Sequence, residues 1–179
     1  MKNSGRTIQS SRIYSGRISL SKDKFSLNGK IIEKEIVGHQ DSVGIVAITD
    51  DDSVILVTQY RRAADKVLLE IPAGKIENGE TPREAAIREM AEEIGYAGNL
   101  RPLSKWYLAP GYSTELMHVF IATNLREVTR GPLDEDENIR KRKIRLSMAI
   151  KKCLNGKISD AKTVAALLVF YYNTSDSIR

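Results

Sequence analysis

One cysteine, Cys153, occurs in 179 residues. No disulfide can close within the chain, and no cysteine-based zinc site can form from it alone. Histidine is nearly as scarce: His39 and His118 stand far apart and show no metal-ligand spacing. Long apolar runs are also missing. The strongest, residues 164–172, falls well short of the roughly 20 residues that a membrane-spanning helix needs. Residues 1–12 are polar and lack the apolar stretch of a secretory signal, so they are expected to be a flexible terminus. Neither a Walker-type glycine loop nor a dinucleotide-binding glycine fingerprint is present. The single cysteine and the missing secretory signal point to a cytoplasmic protein.

What is present suits an ordinary folded domain. Apolar residues make up 41% and charged residues 28%, enough apolar material for a core and too much for global disorder. Lys and Arg outnumber Asp and Glu by 28 to 23, giving a formal charge of +5. A basic balance favours anionic ligands without identifying one. Against it, the acids gather in two places, residues 77–93 and 134–137.

The first third of the chain reads as strands. Residues 17–27 and 31–37 alternate around Asn28-Gly29, a strong hairpin signal. Residues 42–49 and 54–60 are β-branched runs parted by the turn Asp50-Asp51-Asp52, and 68–71 is a further short strand. A helix is expected over 82–94. Thr81 is a good N-cap, Pro82 suits the first helical position, Glu84 completes a capping box and Gly95 supplies the stop. Its apolar face is expected to comprise Ala85, Ala86, Ile87, Met90, Ala91 and Ile94. Strands follow near 103–107, 117–123 and 139–146. Two helices close the chain, 147–154 capped by Ser147 and 160–172. Leading strands with helices inserted in the middle and at the end describe a mixed α/β sandwich rather than a regular βαβ repeat.

The helix over 82–94 carries an electrostatic problem. At roughly 100° per residue, Glu89, Glu92 and Glu93 share one narrow stripe. Like charges so spaced repel, and the C-terminal end of the helix dipole disfavours them further. Arg88 can neutralise one acid but not three. A hard divalent cation resolves the conflict, because Mg²⁺ prefers carboxylate oxygens and leaves room for water and phosphate. From Gly74 the chain runs five residues to Glu80, seven more to Arg88-Glu89, then Met90-Ala91-Glu92-Glu93-Ile94-Gly95-Tyr96. This spacing resembles the Nudix box, GX5EX7REUXEEXGU with U a bulky aliphatic residue. Every fixed position agrees, against chance odds on the order of one in several hundred million per starting point. Tyr96 departs from the aliphatic residue usual at the end.

The resemblance implies an α/β/α sandwich around a mixed sheet, and an enzyme in which water attacks a nucleoside diphosphate linked to a second group. Glu89, Glu92, Glu93 and the backbone carbonyl of Ala73 become the implied metal ligands, with Arg88 and Glu80 orienting them. Mg²⁺ is the implied cofactor, with Mn²⁺ a possible substitute. Outside the box, Gln59-Tyr60-Arg61, Leu69-Glu70-Ile71-Pro72-Ala73-Gly74-Lys75 and Ala109-Pro110-Gly111-Tyr112-Ser113-Thr114-Glu115 resemble the ADP-ribose pyrophosphatase branch. So do the acidic run Asp134-Glu135-Asp136-Glu137 and the segment 156–163. By that resemblance Glu135, or second Glu137, handles the proton of the attacking water. Glu92 is a further catalytic candidate, while Arg61, Gly111 and Glu115 are candidate substrate contacts.

The expected organisation is a flexible terminus at 1–12, an N-terminal antiparallel β segment at 13–40 and the catalytic domain at 41–173. The branch also implies a homodimer whose N-terminal strands cross to the partner. ADP-ribose is the expected substrate. A nucleotide sugar such as GDP-mannose, a dinucleoside polyphosphate and an oxidised nucleoside triphosphate are the alternatives within the same chemistry. A non-cleaving ligand sensor is the alternative outside it, and the intact acid set argues against that. The basic run Arg140-Lys141-Arg142-Lys143 lacks interleaved aromatics, so it reads as solvated surface rather than a nucleic-acid patch.

Overall fold

The computed structural model describes residues 5–130 and 139–175, which fall into two compact units. The first unit takes residues up to Asp41 together with Trp106–Met117. It is built on a three-stranded antiparallel sheet of β1 (Arg6–Ser15), β2 (Ser19–Leu27) and β3 (Lys30–Gly38), in that order. Asn28 and Gly29 both take positive φ, 52° and 76°, as the two-residue turn joining β2 to β3 requires. The polar residues expected to fray at the N-terminus instead form β1 from Arg6 onward, exposed along its whole length. Its backbone ladder to β2 does what side-chain patterning could not announce. Within the same unit, the loop carrying Gly111 is fastened to β3: Val37 N donates to Tyr112 O at 2.7 Å, and Thr114 N donates to Val37 O at 3.0 Å.

The second unit comprises Ser42–Lys105 and the residues from His118 onward. Its sheet is formed by β4 (Ser42–Ile48), β5 (Ser53–Arg61), β6 (Lys66–Glu70), β7 (Ala73–Lys75), β8 (Tyr96–Tyr107), β9 (Leu116–Glu127) and β10 (Arg140–Arg145). The order is β10-β5-β4-β9-β8, with β6 paired to β5 and β7 paired to β4. The short β7 was not foreseen. It exists because Ala73 pairs with Gly44 and Gly74 with Val43, which locks the start of the acidic segment to a buried strand.

Strand periodicity decides which helix covers which face. Val43, Ile45 and Ala47 of β4 meet Ile55 and Val57 of β5, together with Ala85, Ala86, Met90 and Ile94 from α1 (Pro82–Glu89) and its continuation. The alternate residues Val46, Val54 and Leu56 are equally buried. Toward that side pack α2 (Leu146–Leu154) against β5 and β10, and α3 (Ala161–Ser175) against β4. The unit is the expected α/β/α sandwich.

Two local expectations need correction. Ile87, read as part of the buried face of α1, is 45% exposed, since that face narrows to the small Ala85 and Ala86 where the helix lies against the sheet. Ser147 does not cap α2: the helix begins at Leu146, with Arg145 in the capping position and no side-chain cap. Burial of Leu146, whose N–H donates to Asp52 O at 3.0 Å, outweighs the serine's preference. In α3, Leu167 and Phe170 are buried, whereas Tyr171 and Tyr172 are exposed. The basic residues Arg140–Lys143 are all exposed along β10, as expected for a solvated run.

The capping box at α1 forms as read: the Thr81 side chain accepts from Glu84 N, and the Glu84 side chain accepts from Thr81 N at 2.8 Å. Thr81→Ala is expected to cost about 1 kcal/mol of folding stability, read from urea denaturation. A midpoint identical to the parent protein's would show that the cap contributes nothing.

Candidate active site

α1 does not continue as a regular helix to Gly95. Over Met90–Ile94 it widens into a π-helical turn, which ends at Gly95 with φ 69°. Such segments concentrate at functional sites, and this one carries Glu92 and Glu93. No sequence signal marked it. Its end is tied down from outside, with Arg130 Nε donating to Glu92 O at 2.8 Å and Val128 N to Gly95 O at 3.0 Å. Arg130 therefore satisfies a carbonyl that the helix terminus leaves open. It was not singled out on sequence, where it is one arginine among many.

Arg88 is the hub of the acidic cluster. Its Nε and one terminal nitrogen donate to the two oxygens of Glu80, at 2.8 and 2.9 Å, and that same terminal nitrogen reaches Lys75 O at 3.0 Å. Its other terminal nitrogen donates to Glu89 at 2.8 Å and to Glu92 at 3.0 Å. Hydrogen bonds from Arg88 and from the Glu77 backbone hold the Glu80 carboxyl down at about 2. Glu80 first, and then Glu89 and Glu92, hold the Arg88 guanidinium above its ordinary value. Arg88 thus ties Glu80, Glu89 and Glu92 to one guanidinium.

Glu93 is reached differently. It is 2% exposed, and the N–H of Ala73 donates to its Oε2 at 2.9 Å. Glu89 is 9% exposed and lies against Gly74, where a Cβ would fall 1.8 Å from its Oε1. A side chain at residue 74 would occupy the space of the carboxylate, so Glu89 keeps this position only beside a glycine. The fold therefore assembles Ala73, Glu80, Arg88, Glu89, Glu92 and Glu93 in one place.

These residues offer only hard oxygen donors and place more negative charge than Arg88 can offset. That donor chemistry fits a divalent ion such as Mg²⁺. As the side chains stand, no three acids, histidines or cysteines among the described residues close into a cage, because Glu89 and Glu92 lean on Arg88. The fit rests on chemistry and charge rather than on a finished coordination shell.

Of the remaining candidates, Arg61 lies on β5 with its guanidinium forked onto Glu70 at 2.9 and 2.7 Å. Glu70 is 1% exposed and also receives Lys162 Nζ. Burial alone would raise the Glu70 carboxyl, but Arg61 and Lys162 outweigh it and hold the group below its ordinary value. This paired network, which extends to Asp160 and Thr163, was not anticipated. Gly111 and Glu115 belong to the first unit. Gly111 is exposed in the turn closed by Tyr112 N and Ser113 N on Ala109 O, at 3.1 and 2.8 Å. Glu115 is half-buried, 3.8 Å from His39 Nδ1. Glu135 and Glu137 lie outside the described residues.

A pyrophosphate-directed hydrolase is the class that this sandwich and its acidic helix define. The NUDIX domain profile matches residues 38–167, so the chain belongs to the Nudix family and is a Nudix pyrophosphohydrolase. It is 39% identical over 166 residues to the ADP-ribose pyrophosphatase of Bacillus subtilis (strain 168), covering 90% of each chain. It is 37% identical over 166 residues to the methanol dehydrogenase activator of Bacillus methanolicus, again covering 90% of each. A crystal structure of an ADP compounds hydrolase superposes with a TM-score of 0.85 over 97% of this chain and 95% of that one. At 24% identity it supports the fold alone. The resemblance to the ADP-ribose pyrophosphatase branch is thus borne out, and members of the family generally use divalent metal ions.

Gly74→Ala is expected to displace Glu89 and to weaken Mn²⁺ binding by about 10-fold or more, measured by titration calorimetry on the folded variant. Unchanged affinity would mean that Glu89 is not a ligand in the geometry it adopts here.

Proposed function

We propose that this enzyme hydrolyses ADP-ribose to AMP and ribose 5-phosphate, with Mg²⁺ as its metal. The observation that carries the metal site is the pair of nearly buried carboxylates, Glu89 and Glu93, one packed on Gly74 and the other fixed by the Ala73 N–H. Buried charges of one sign are costly unless paired, so a cluster of this kind argues for a cation. The substrate assignment is supported by the Bacillus subtilis relative and by the resemblance of the segments around Arg61, Ala73 and Gly111.

In this reading Glu89, Glu92, Glu93 and the Ala73 carbonyl hold the ions, and Glu80 acts through Arg88 to keep the glutamates turned inward. When bound, divalent ions neutralise charge on the diphosphate and lower the pKa of a coordinated water. Arg61 offers donors to a phosphate oxygen. Glu135, or alternatively Glu137, accepts the proton as water adds to one phosphorus. The bridging oxygen leaves with the other phosphate. Gly111 lets backbone approach the substrate, and Glu115 contacts it. The protein works in the cytoplasm as a homodimer, with its N-terminal strands helping to build the partner's pocket.

Glu93→Gln keeps the side-chain volume and is expected to lower kcat by several orders of magnitude while leaving the circular dichroism spectrum unchanged. Full Mg²⁺-dependent activity in a folded Gln variant would remove Glu93 from the ligand set. Product analysis with ADP-ribose, GDP-mannose, a dinucleoside polyphosphate and an oxidised nucleoside triphosphate tests the substrate. ADP-ribose is expected to give the highest kcat/KM, and a higher value for another compound overturns the assignment. Light scattering is expected to give twice the 20.0 kDa chain mass, and a mass of one chain across working concentrations refutes the dimer.

A further inference from the structure

The four residues from Glu70 to Ala73 lead directly into the metal site, and each is anchored by hydrogen bonds to other elements of the second unit. The Glu70 carboxylate receives Arg61 and Lys162. The Ile71 N–H donates to Thr163 Oγ1 at 2.8 Å. The Pro72 carbonyl accepts from Ile45 N at 2.9 Å, and the Ala73 N–H reaches Glu93 at 2.9 Å. Two of these anchors, Lys162 and Thr163, stand on the first turn of α3.

That turn is itself tightly built. Asp160, just before α3, accepts from Thr163 N at 3.0 Å and Thr163 Oγ1 at 2.5 Å, and its other oxygen takes Lys162 Nζ at 2.8 Å. Thr163 is fully buried. Its hydroxyl donates to Asp160 and accepts from Ile71, so it joins the helix cap to the strand end. A hydroxyl with both directions satisfied has one orientation, and the peptide it grips has little freedom left.

From this chain of contacts we propose that Thr163 and Lys162 are positioning residues for the metal site. Through Ile71 and Glu70 they set the Ala73 peptide, whose N–H orients Glu93 and whose carbonyl faces the ion in the functional reading above, on which this inference rests. Neither residue is a metal ligand or touches the reacting atoms. Their contribution is to fix the distance between a backbone oxygen and a helix-borne carboxylate, where small displacements lower ion affinity. Second-layer contacts of this kind are typically worth about 10- to 100-fold in metal affinity.

The test is Mn²⁺ binding to the full-length protein without substrate, followed by electron paramagnetic resonance of the free ion. Thr163→Val keeps the shape and removes the hydroxyl, and it is expected to weaken Mn²⁺ binding at least about 10-fold. Thr163→Ser restores the hydroxyl and is expected to bind within about 2-fold of the parent protein. Phe170→Leu, a core change on the same helix, serves as the control for general loosening of α3 and is expected to bind as the parent does. Lys162→Gln is measured alongside, with the same direction expected. It decides the matter if the valine variant does not fold. Parent-like affinity in the folded Thr163→Val protein, equal loss in the Ser and Val variants, or equal loss in Phe170→Leu overturns the proposal while leaving the metal site standing. A parent protein that binds no Mn²⁺ overturns the functional reading and this inference with it.

Discussion

Crowded negative charge is the constraint around which the second unit is arranged. Glu80, Glu89 and Glu92 all lean on the one guanidinium of Arg88, while Glu93 is buried beside them on a backbone N–H. A carboxylate removed from water costs several kcal/mol unless its lone pairs are met. The local structure answers that cost at each position. Gly74 clears space for Glu89, Ala73 meets Glu93, and Arg88 gathers the remaining acids. A cluster held this way is stable enough to fold and charged enough to favour a divalent ion.

The rest of the unit holds both sides of that cluster steady. β7 is hydrogen-bonded to β4, whose side chains are buried from Ser42 through Ala47, so the glycine cradle cannot drift. α1 presents Ala85 and Ala86 to the same core and lies close to the sheet. Arg130 and Val128 hold the far end of the helix at Glu92 and Gly95. Two rigid walls, a strand end and a helix, therefore meet at the acids. Sites mounted on such elements keep their geometry better than sites on loops.

Local chemistry was readable wherever the cause lies within a few residues. Thr81, Pro82 and Glu84 announced the helix start, Asn28-Gly29 the hairpin, and Asp50-Asp51-Asp52 a turn. The spacing from Gly74 to Gly95 identified the family. Features whose cause lies far along the chain were not readable. β1 is polar and is a strand only because β2 offers it a ladder. The cap assigned to Ser147 gave way to the burial of Leu146. Arg61 looked like a lone phosphate donor, and the pairing with Glu70 and Lys162 became visible only once β5, β6 and α3 were in place.

The sequence by itself determined the family, the acidic helix and the spacing of its glutamates, because those depend on positions along a single helix and its flanking loops. The tertiary structure alone decided how the negative charge is compensated, where the π-helical turn falls, and that α3 grips the strand end leading to Ala73. Those outcomes join residues as distant as Ile71 and Thr163. Hydrogen bonds and burial between separate elements leave no periodic trace in a chain, and so they appear only when it has folded.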